Sequence, residues 1–453
     1  MKGADLLNLM MYVSYLGCLL LAGKIIRTKI TLFQRLYFPA ALIGGFLGLA
    51  LGPDALKLIP ANVVGVWGML PGRLIDVVFT CVFLGTVIPS GRQVWLYAGP
   101  QLVYSWFVVA CQWIVGLGLM YLVVTPMFGL PAHLGTIIEI GWAGGHGTAA
   151  GMAVVFKNLG FPEGGDLGLT SATVGLIVGI VMGMVYINWA VRKGYTEVLK
   201  SPDQIAQGDL SGILPEGQDK VIARSRILKD SIEPFTLHVA LIGLSIILGY
   251  FALNGLKMIH PKFAAVPLFP MAMLGGVAVQ AVAVLTKTQG LIDRQIIERI
   301  QGTALDFLVV AAVAAIKIPV VVKYAIPLLI LMVGGLVLMH VLTIYLAPRI
   351  FPDAWFERAI AEYGALCGVL AVGLMLLRVV DPDLKTSAPK AFAFERPFFS
   401  PFVGGGLVTA VIPLFVAEMG VLTVIGASVV LAIGLLGVAY INGWMHKPAK
   451  PIR

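Results

Sequence analysis

Glutamate, glycine, histidine and threonine lie unusually close together in one apolar part of the chain. The stretch reads EIGWAGGHGTAAGMAVVF and runs from Glu139 to Phe156. Irregular backbone at membrane depth survives only where protein buries it or where it lines a watery cavity. The N-terminus of a half-helix presents free N–H groups that suit a carboxylate, and freed carbonyls and hydroxyls suit Na⁺. The stretch therefore fits an anion site, a cation site or both.

The candidate ligands are the five residues at the centre of this stretch: Gly144, Gly145, His146, Gly147 and Thr148. His146 could relay a proton or bond a substrate, although a buried histidine satisfied by the backbone fits equally well. The hydroxyls of Thr148, Thr170 and Ser171 could bind substrate or bond carbonyls of their own helices. The alternative for the glycines is close helix packing through small residues four apart.

Four acidic residues in or beside apolar runs are candidate ion ligands: Asp76, Asp306, Glu139 and Glu362. Charges inside membrane spans are costly and therefore mark functional sites by default. Helix capping and interfacial pairing are the alternatives. The sequence contains no HExxH motif, GxGD-like aspartate pair or DDxxD cluster, so a hydrolytic membrane enzyme is disfavoured.

Composition predicts the setting of these residues. The chain is 59% hydrophobic and only 12% charged, with a mean hydropathy of +0.94, and apolar runs of about 20 residues recur along it. These features predict an all-α, polytopic protein in a lipid bilayer. The net charge of +9 is explained by basic cytoplasmic loops, so no nucleic-acid partner is needed. The four cysteines form no CxxC pair, which speaks against a metal site.

Hydropathy and charge predict the topology. Eleven spans are predicted, with hairpins at 134–157 and 359–378 that return to the side they entered: 6–23, 34–52, 73–89, 95–124, 167–191, 236–256, 264–286, 303–322, 324–347, 399–417 and 421–444. With the N-terminus outside and the C-terminus cytoplasmic, 24 of the 32 Lys and Arg residues face the cytoplasm. The positive-inside rule favours this topology over its reverse.

Three short motifs recur in the same order in both halves. GRLID at 72–76 matches GTALD at 302–306, EIGWAGG at 139–145 matches EYGALCG at 362–368, and DLGLTSA at 166–172 matches DLKTSA at 383–388. We therefore expect two inverted-topology repeats of five spans, each with one re-entrant hairpin, as in many secondary transporters. The repeats cover 1–191 and 235–417. A cytoplasmic linker at 192–234 joins them, and an extra helix with a basic tail follows at 418–453.

The chain resembles the bacterial sodium/glutamate symporter family. The segments DLLNLMMYVSYLGCLLLAGKIIR, FQRLYFPAALIGGFLG and above all GGHGTAAG carry the resemblance. The resemblance covers the whole layout and is most specific across 134–190. It implies Na⁺-driven uptake of L-glutamate across the cell inner membrane by a homodimer, with no cofactor besides Na⁺ as the coupling ion. It places binding roles on the GGHGT motif.

Three features depart from the family pattern: the central loop is long, a span is added at 421–444, and the second hairpin lacks a hydroxyl-rich tip. Thr386 and Ser387 after that hairpin are candidates to compensate. Arg378 is the candidate cation for a second substrate carboxylate, or else a topology anchor.

The main hypothesis is Na⁺-coupled uptake of L-glutamate by alternating access. The alternatives are a carrier of another small carboxylate, H⁺ coupling through His146 or Glu139, and a passive channel.

Overall fold

The computed structural model describes residues 3–35, 38–86, 90–198, 232–260, 266–382 and 384–446. Every regular element within these ranges is helical, and nine helical segments in them, three of which join consecutive helices, are long and apolar enough to cross a membrane. The predicted all-α polytopic fold is thereby confirmed. Most of the predicted linker at 192–234, Asp383 of the DLKTSA motif and the tail at 447–453 lie outside the described residues.

The described α-helices of the first half are α1 Gly3–Lys29, α2 Thr31–Arg35, α3 Ala40–Leu51, α4 Ala61–Trp67, α5 Pro71–Thr80, α6 Gly91–Leu119, α7 Thr125–Phe128, α8 Ile137–Trp142, α9 Gly145–Asn158 and α10 Gly164–Lys193. Those of the second half are α11 Pro234–Ile259, α12 Leu268–Leu285, α13 Arg294–Ala314, α14 Ile318–Lys323, α15 Ala325–Val341, α16 Ala347–Ile350, α17 Trp355–Val380, α18 Ala388–Phe399, α19 Leu407–Met419 and α20 Val421–Ile441.

The chain forms two compact units, and each unit draws on both predicted repeats. Unit 1 comprises 1–88, 150–158 and 208–318, and unit 2 comprises 89–149, 159–207 and 319–453. The division into compact units therefore differs from the predicted division into repeats at 192–234. The chain passes from unit 2 into unit 1 within α9.

Unit 1 is held together by apolar packing and by a few buried polar bonds. Trp67 on α4 is fully buried among residues of α1 and α13, and its indole N–H donates to the carbonyl of Tyr12. At the end of α5, the guanidinium of Arg294 donates to the carbonyls of Cys81 and Leu84. Without Arg294 these carbonyls would lack a hydrogen-bond donor from the helix, because they follow its last turn.

Unit 2 is organised around small residues on one face of α10, at Ser171, Gly175, Gly179 and Gly183. The spacing of four places them in one row, and small residues in such a row let backbones approach closely. A Cβ added to Gly175 would lie 2.5 Å from the carbonyl oxygen of Cys367 on α17 and 2.5 Å from the Trp142 ring on α8. The row therefore lets parts of α8 and α17 pack next to each other against α10.

A local pattern of helices repeats in unit 2. A long helix, α6 or α15, runs into a five-residue π-helix, at Met120–Val124 or Leu342–Leu346. A four-residue helix with proline near its start follows each time, with Pro126 in α7 and Pro348 in α16. The interrupted segments that carry Glu139 and Glu362 come next. The two prolines at matching positions are a signal of this repeat that is visible in the sequence.

Several helices differ in extent from the predicted spans. The span predicted at 34–52 is the short helix α2 followed by the 12-residue α3, because Pro39 separates them. The span predicted at 303–322 begins at Arg294, where Asp293 caps the helix by accepting bonds from two backbone N–H groups. The continuous span predicted at 399–417 is wrong at its start, because 400–406 is non-helical.

Gly175→Ala should destabilise the protein, whereas Gly168→Ala on the same helix should be tolerated. The new Cβ at 175 would meet backbone and a buried ring, while at 168 its nearest neighbour would be Ala149 Cβ at an ordinary 3.4 Å. Overpacking of this kind costs about 1–3 kcal/mol. Thermal unfolding of the detergent-solubilised variants should separate them, and equal midpoints would show that the row is not tightly packed.

Candidate functional site

The first interruption lies between α8 and α9. The backbone N–H groups of Ala143 and Gly144 both donate to the carbonyl of Glu139, which closes α8. Gly145 then adopts a φ of +71°, a left-handed conformation that favours glycine. The Thr148 hydroxyl donates to the Gly144 carbonyl at 2.8 Å. The first N–H groups of α9 consequently begin a new helix without acceptors inside that helix.

The second interruption lies inside α17, at Gly368 and Val369. Val369 has φ 68° and ψ 167°, a region that is almost exclusive to glycine and strains a β-branched residue. A Cβ added to Gly364 would lie 2.7 Å from Cα of Gly373, nine residues further on. A continuous helix would separate these residues by roughly 13 Å. The chain therefore doubles back here and forms a hairpin. Its first arm is 355–367, its tip is at Gly368 and Val369, and its second arm is 370–380, which runs beside the first.

The third interruption comprises residues 400–406 between α18 and α19, and it includes the VGGG stretch at 403–406. Gly404 and Gly405 have φ values of +68° and +108°. Pro401 and three consecutive glycines explain why no helix forms through this stretch. The backbone at Gly404 lies close to the end of α8, because a Cβ added to Gly404 would lie 3.3 Å from the Ala143 carbonyl oxygen.

The three interruptions meet within unit 2. A Cβ on Gly145 would overlap the Val369 side chain, so the first and second interruptions are in direct contact. Gly404 brings the third interruption onto Ala143, at the end of α8. Half-helix ends, with both free N–H groups and free carbonyls, thus converge at one place, which we call the junction. The convergence depends on glycine at both contacts.

Glu139 is completely buried beside the junction. Its Oε1 accepts hydrogen bonds from the Gly404 N–H at 2.9 Å and from the Thr409 hydroxyl at 2.6 Å. Its Oε2 has no well-formed hydrogen bond among the described residues, and the Trp113 indole N–H, which interacts with the same carboxyl, is also without one. One carboxylate oxygen of Glu139 thus fixes the third interruption while the other has capacity for a ligand.

Glu362, the repeat counterpart of Glu139, is also completely buried but has both oxygens engaged. Oε1 accepts from the Gln101 amide at 2.8 Å, and Oε2 pairs with Arg396 at 2.6 Å. Arg396 also pairs with the buried Glu395 at 2.8 Å. Two buried carboxyl groups therefore share one guanidinium, which can balance only one negative charge.

The hydroxyl and imidazole groups predicted in the first half mostly join helices together. His146 Nε2 lies 2.9 Å from the Thr173 hydroxyl on α10. The Ser171 hydroxyl donates to the Ile137 carbonyl on α8, whereas the Thr170 hydroxyl bonds within its own helix. These side chains fix α8 and α9 on α10. The GGHGT motif therefore contributes the backbone of 144–148 to the junction, and not these side chains.

The structure places Thr386 and Ser387 at the opposite end of the hairpin from its tip. The second arm runs from 370 to 380, roughly 15 Å of helix. The Thr386 hydroxyl donates to the buried Asp381 carboxylate, and the Ser387 hydroxyl accepts from Arg358. Arg378, on the last turn of the second arm, is exposed. The structure therefore does not bring these three residues to the junction.

Asp76 and Asp306 both lie in unit 1, on α5 and α13. Asp76 is buried, and its carboxylate lies 3.7 Å from the Arg73 guanidinium. Asp306 is exposed. The predicted ion ligands are thus divided, with one pair in each unit and only the glutamates beside interrupted helices.

Sequence reasoning missed the partners that α6 supplies to the second hairpin. Gln101 bonds Glu362, and the Gln112 amide donates to the carbonyl of Leu366 at 2.9 Å, just before the second interruption. Both side chains are fully buried. Two glutamines inside an apolar span were a usable signal, because polar side chains at such depth need partners.

Nine candidate spans among the described helices indicate a multi-pass α-helical membrane protein, and a convergence of interrupted helices is typical of transporters. The chain belongs to the sodium/glutamate symporter family, whose model matches residues 7–356 of the 453. The protein is accordingly a symporter and not an enzyme, with Na⁺ as the coupling ion of its family. The matched range ends before Glu362 and the second and third interruptions. No curated protein matches the chain by sequence.

The contact between Gly145 and Val369 can be tested by a double-mutant cycle. Gly145→Ala should lower the thermal midpoint, because alanine at this φ costs about 1–2 kcal/mol and its Cβ would overlap Val369. Val369→Gly should leave the midpoint equal or higher, since it releases strain of about 1–3 kcal/mol. The double variant should recover most of the loss. Simple additivity of the two changes would contradict direct contact.

Proposed function

We propose that the protein takes up L-glutamate together with Na⁺ by alternating access, with both ligands bound at the junction. Family membership supports the coupling and the substrate class. The observation that carries the proposal is the meeting of two interrupted helices at Gly145 and Val369. We further propose an inner-membrane homodimer with the N-terminus outside, the C-terminus cytoplasmic and inverted repeats joined by a cytoplasmic linker. The family resemblance and the distribution of basic residues support these assignments.

The two carboxylates of L-glutamate match two half-helix N-termini. The N–H groups of Gly145, His146 and Gly147 begin α9, and those of Val369 and Leu370 begin the second arm of the hairpin. Each set offers donors and the positive end of a helix dipole to an anion. In this assignment the backbone binds the carboxylates, while His146, Thr148 and Ser171 position the helices. We assign a positioning role also to Thr386 and Ser387, and we leave Arg378 and Thr170 outside the binding site.

We place the coupling ion at Glu139 instead of Glu362. The buried Oε2 of Glu139 lacks a well-formed hydrogen bond, whereas both oxygens of Glu362 are bonded by Gln101 and Arg396. A hard cation prefers oxygen ligands, and the carbonyls that end α8 lie next to this carboxylate. Ion binding at Oε2 would then act on the third interruption, because Oε1 of the same carboxylate bonds Gly404 and Thr409. We assign no ion to Asp76 or Asp306.

A second candidate function is H⁺-coupled transport of a small carboxylate. The observation that favours it is the pair of buried carboxylates, Glu362 and Glu395, that share the guanidinium of Arg396. One negative charge is left over, and a proton on either carboxyl would neutralise it. Coupling to protons would place the ion site in this cluster and not at Glu139.

Purified protein in proteoliposomes separates the candidates. Radiolabelled L-glutamate should accumulate with an inward Na⁺ gradient and should not accumulate with a proton gradient alone. Accumulation driven by protons without Na⁺ would favour the second candidate. If correctly inserted protein accumulates L-glutamate under neither gradient, the proposed substrate is wrong, and counterflow with other carboxylates becomes the next experiment.

Glu139→Gln should preserve the bonds to Gly404 and Thr409 but remove the negative charge beside the ion. We expect at least about a tenfold fall in Na⁺-stimulated uptake, corresponding to the loss of one charged ligand contact. Glu418→Gln, which changes an exposed carboxylate, serves as the control. Uptake that retains the wild-type Na⁺ dependence in Glu139→Gln would remove this residue from the ion site.

A further inference from the structure

A cavity of about 260 Å³ lies in unit 2 at the base of the hairpin, away from the junction. Its walls come from α6, the start of α17, the start of α18 and the segment after α20. The residues that matter for its chemistry are Tyr97, Asp353, Arg358, Ser387, Lys390 and Trp444. Ser387 is the one residue of this cavity with a role assigned above, as a positioning residue, and no residue assigned to ligand binding at the junction lines the cavity.

Arg358 lines the cavity and is incompletely paired. Its side chain is only 5% exposed. Nη2 pairs with Asp353 at 2.8 Å and donates to the Ser387 hydroxyl at 3.1 Å, but Nε and Nη1 have no partner among the described residues. Buried guanidinium N–H groups without acceptors are costly. Because the planar guanidinium matches oxyanions with two parallel donors, Arg358 has donor capacity for an anionic ligand besides its bonds to Asp353 and Ser387.

Lys390 supplies a second cation to the same cavity. Its ammonium lies 3.5 Å from the ring centroid of Tyr97, so the aromatic ring holds the charge at the cavity wall. Asp353 is the sole carboxylate among the lining residues of this cavity. Two cations and a hydroxyl around a small space form a built site for a phosphate-like oxyanion.

The surface around the cavity is that of a membrane interface. The rings of Trp95 and Trp444 pack with 5.0 Å between centroids and a 51° tilt, and tryptophan and tyrosine are enriched where membranes meet water. Leu96 beside the cavity is 67% exposed, and Ile441 near the end of α20 is 82% exposed. Exposed apolar side chains next to an oxyanion site suit acyl chains below a headgroup, which a free phosphate ion would not require.

We propose that this cavity binds the phosphate headgroup of an anionic phospholipid from the cytoplasmic leaflet. Arg358 and Lys390 bind the phosphate, Ser387 adds a hydrogen bond, and the acyl chains lie along Leu96 and Ile441. The predicted topology places this basic end on the cytoplasmic side, where anionic lipids attract Lys and Arg.

The same site gives a role to the added C-terminal helix. Trp444 forms one wall of the cavity and packs so closely on α6 that a Cβ at Gly99 would lie 2.6 Å from its ring. The next backbone bond joins the His446 N–H to the Arg349 carbonyl at 2.9 Å. A bound headgroup would therefore link α6, the hairpin base and the end of α20.

Lipid binding can be measured on the full-length protein in detergent by native mass spectrometry and thermal shift. The probes are phosphatidylglycerol, phosphatidylcholine and inorganic phosphate. We expect selective retention of, and stabilisation by, phosphatidylglycerol. Arg358→Gln should weaken its affinity at least about tenfold, and Lys390→Gln, at an exposed position that tolerates change, about fivefold. Arg92→Gln, an exposed arginine one turn before Leu96, controls for general charge and should bind like wild type.

Two outcomes would overturn the proposal. Equal affinity of wild type and Lys390→Gln for phosphatidylglycerol, with folded Arg358→Gln also unchanged, would show that the cavity does not bind the headgroup. An equal thermal shift from inorganic phosphate and from phosphatidylglycerol would show a site for a soluble anion and not for a lipid. Transport activity is not used as a readout, so failure of this proposal leaves the proposed uptake of L-glutamate unaffected.

Discussion

The close approach of backbones along α10 is the constraint on which the arrangement of unit 2 depends. Interrupted helices expose N–H groups and carbonyls, and such groups are costly in an apolar setting unless other protein groups or ligands satisfy them. Small residues at 171, 175, 179 and 183 let α8 and the hairpin of α17 lie near enough to form the junction. Larger side chains in that row would separate the interruptions, and the helix ends would no longer meet at the junction.

Buried polar side chains then determine which interrupted helix connects to which. Glu139 joins α8 to the stretch before α19, and Glu362 joins the first arm of the hairpin to α6 and α18. The two glutamates occupy matching positions in the recurring motif, yet their partners differ in charge. Glu139 accepts from neutral donors, whereas Glu362 pairs with a guanidinium. The motif is therefore used twice with different electrostatics, which is why we propose only Glu139 as a cation ligand.

Local sequence features predicted the all-α fold, the family and both motifs that end in helix interruptions. EIGWAGG and EYGALCG could be recognised because glycine spacing and buried acids are visible along the chain. The third interruption was missed because VGGG is equally typical of close packing. The contacts of Gln101 and Gln112 join residues more than 250 positions apart, and no local pattern specifies such pairs. The placement of Thr386 away from the junction likewise follows only from the reversal of the chain at Val369.

The conformation of Val369 has a thermodynamic consequence. A valine in this backbone region is disfavoured by about 1–3 kcal/mol relative to its relaxed conformation. A second arrangement of the hairpin that returned φ to negative values would gain that free energy, which corresponds to a population ratio of about 5 to 160. One side chain at the contact between two interrupted helices would thus bias such an equilibrium, and a ligand bound at that contact would need only a few kcal/mol of differential affinity to reverse the bias.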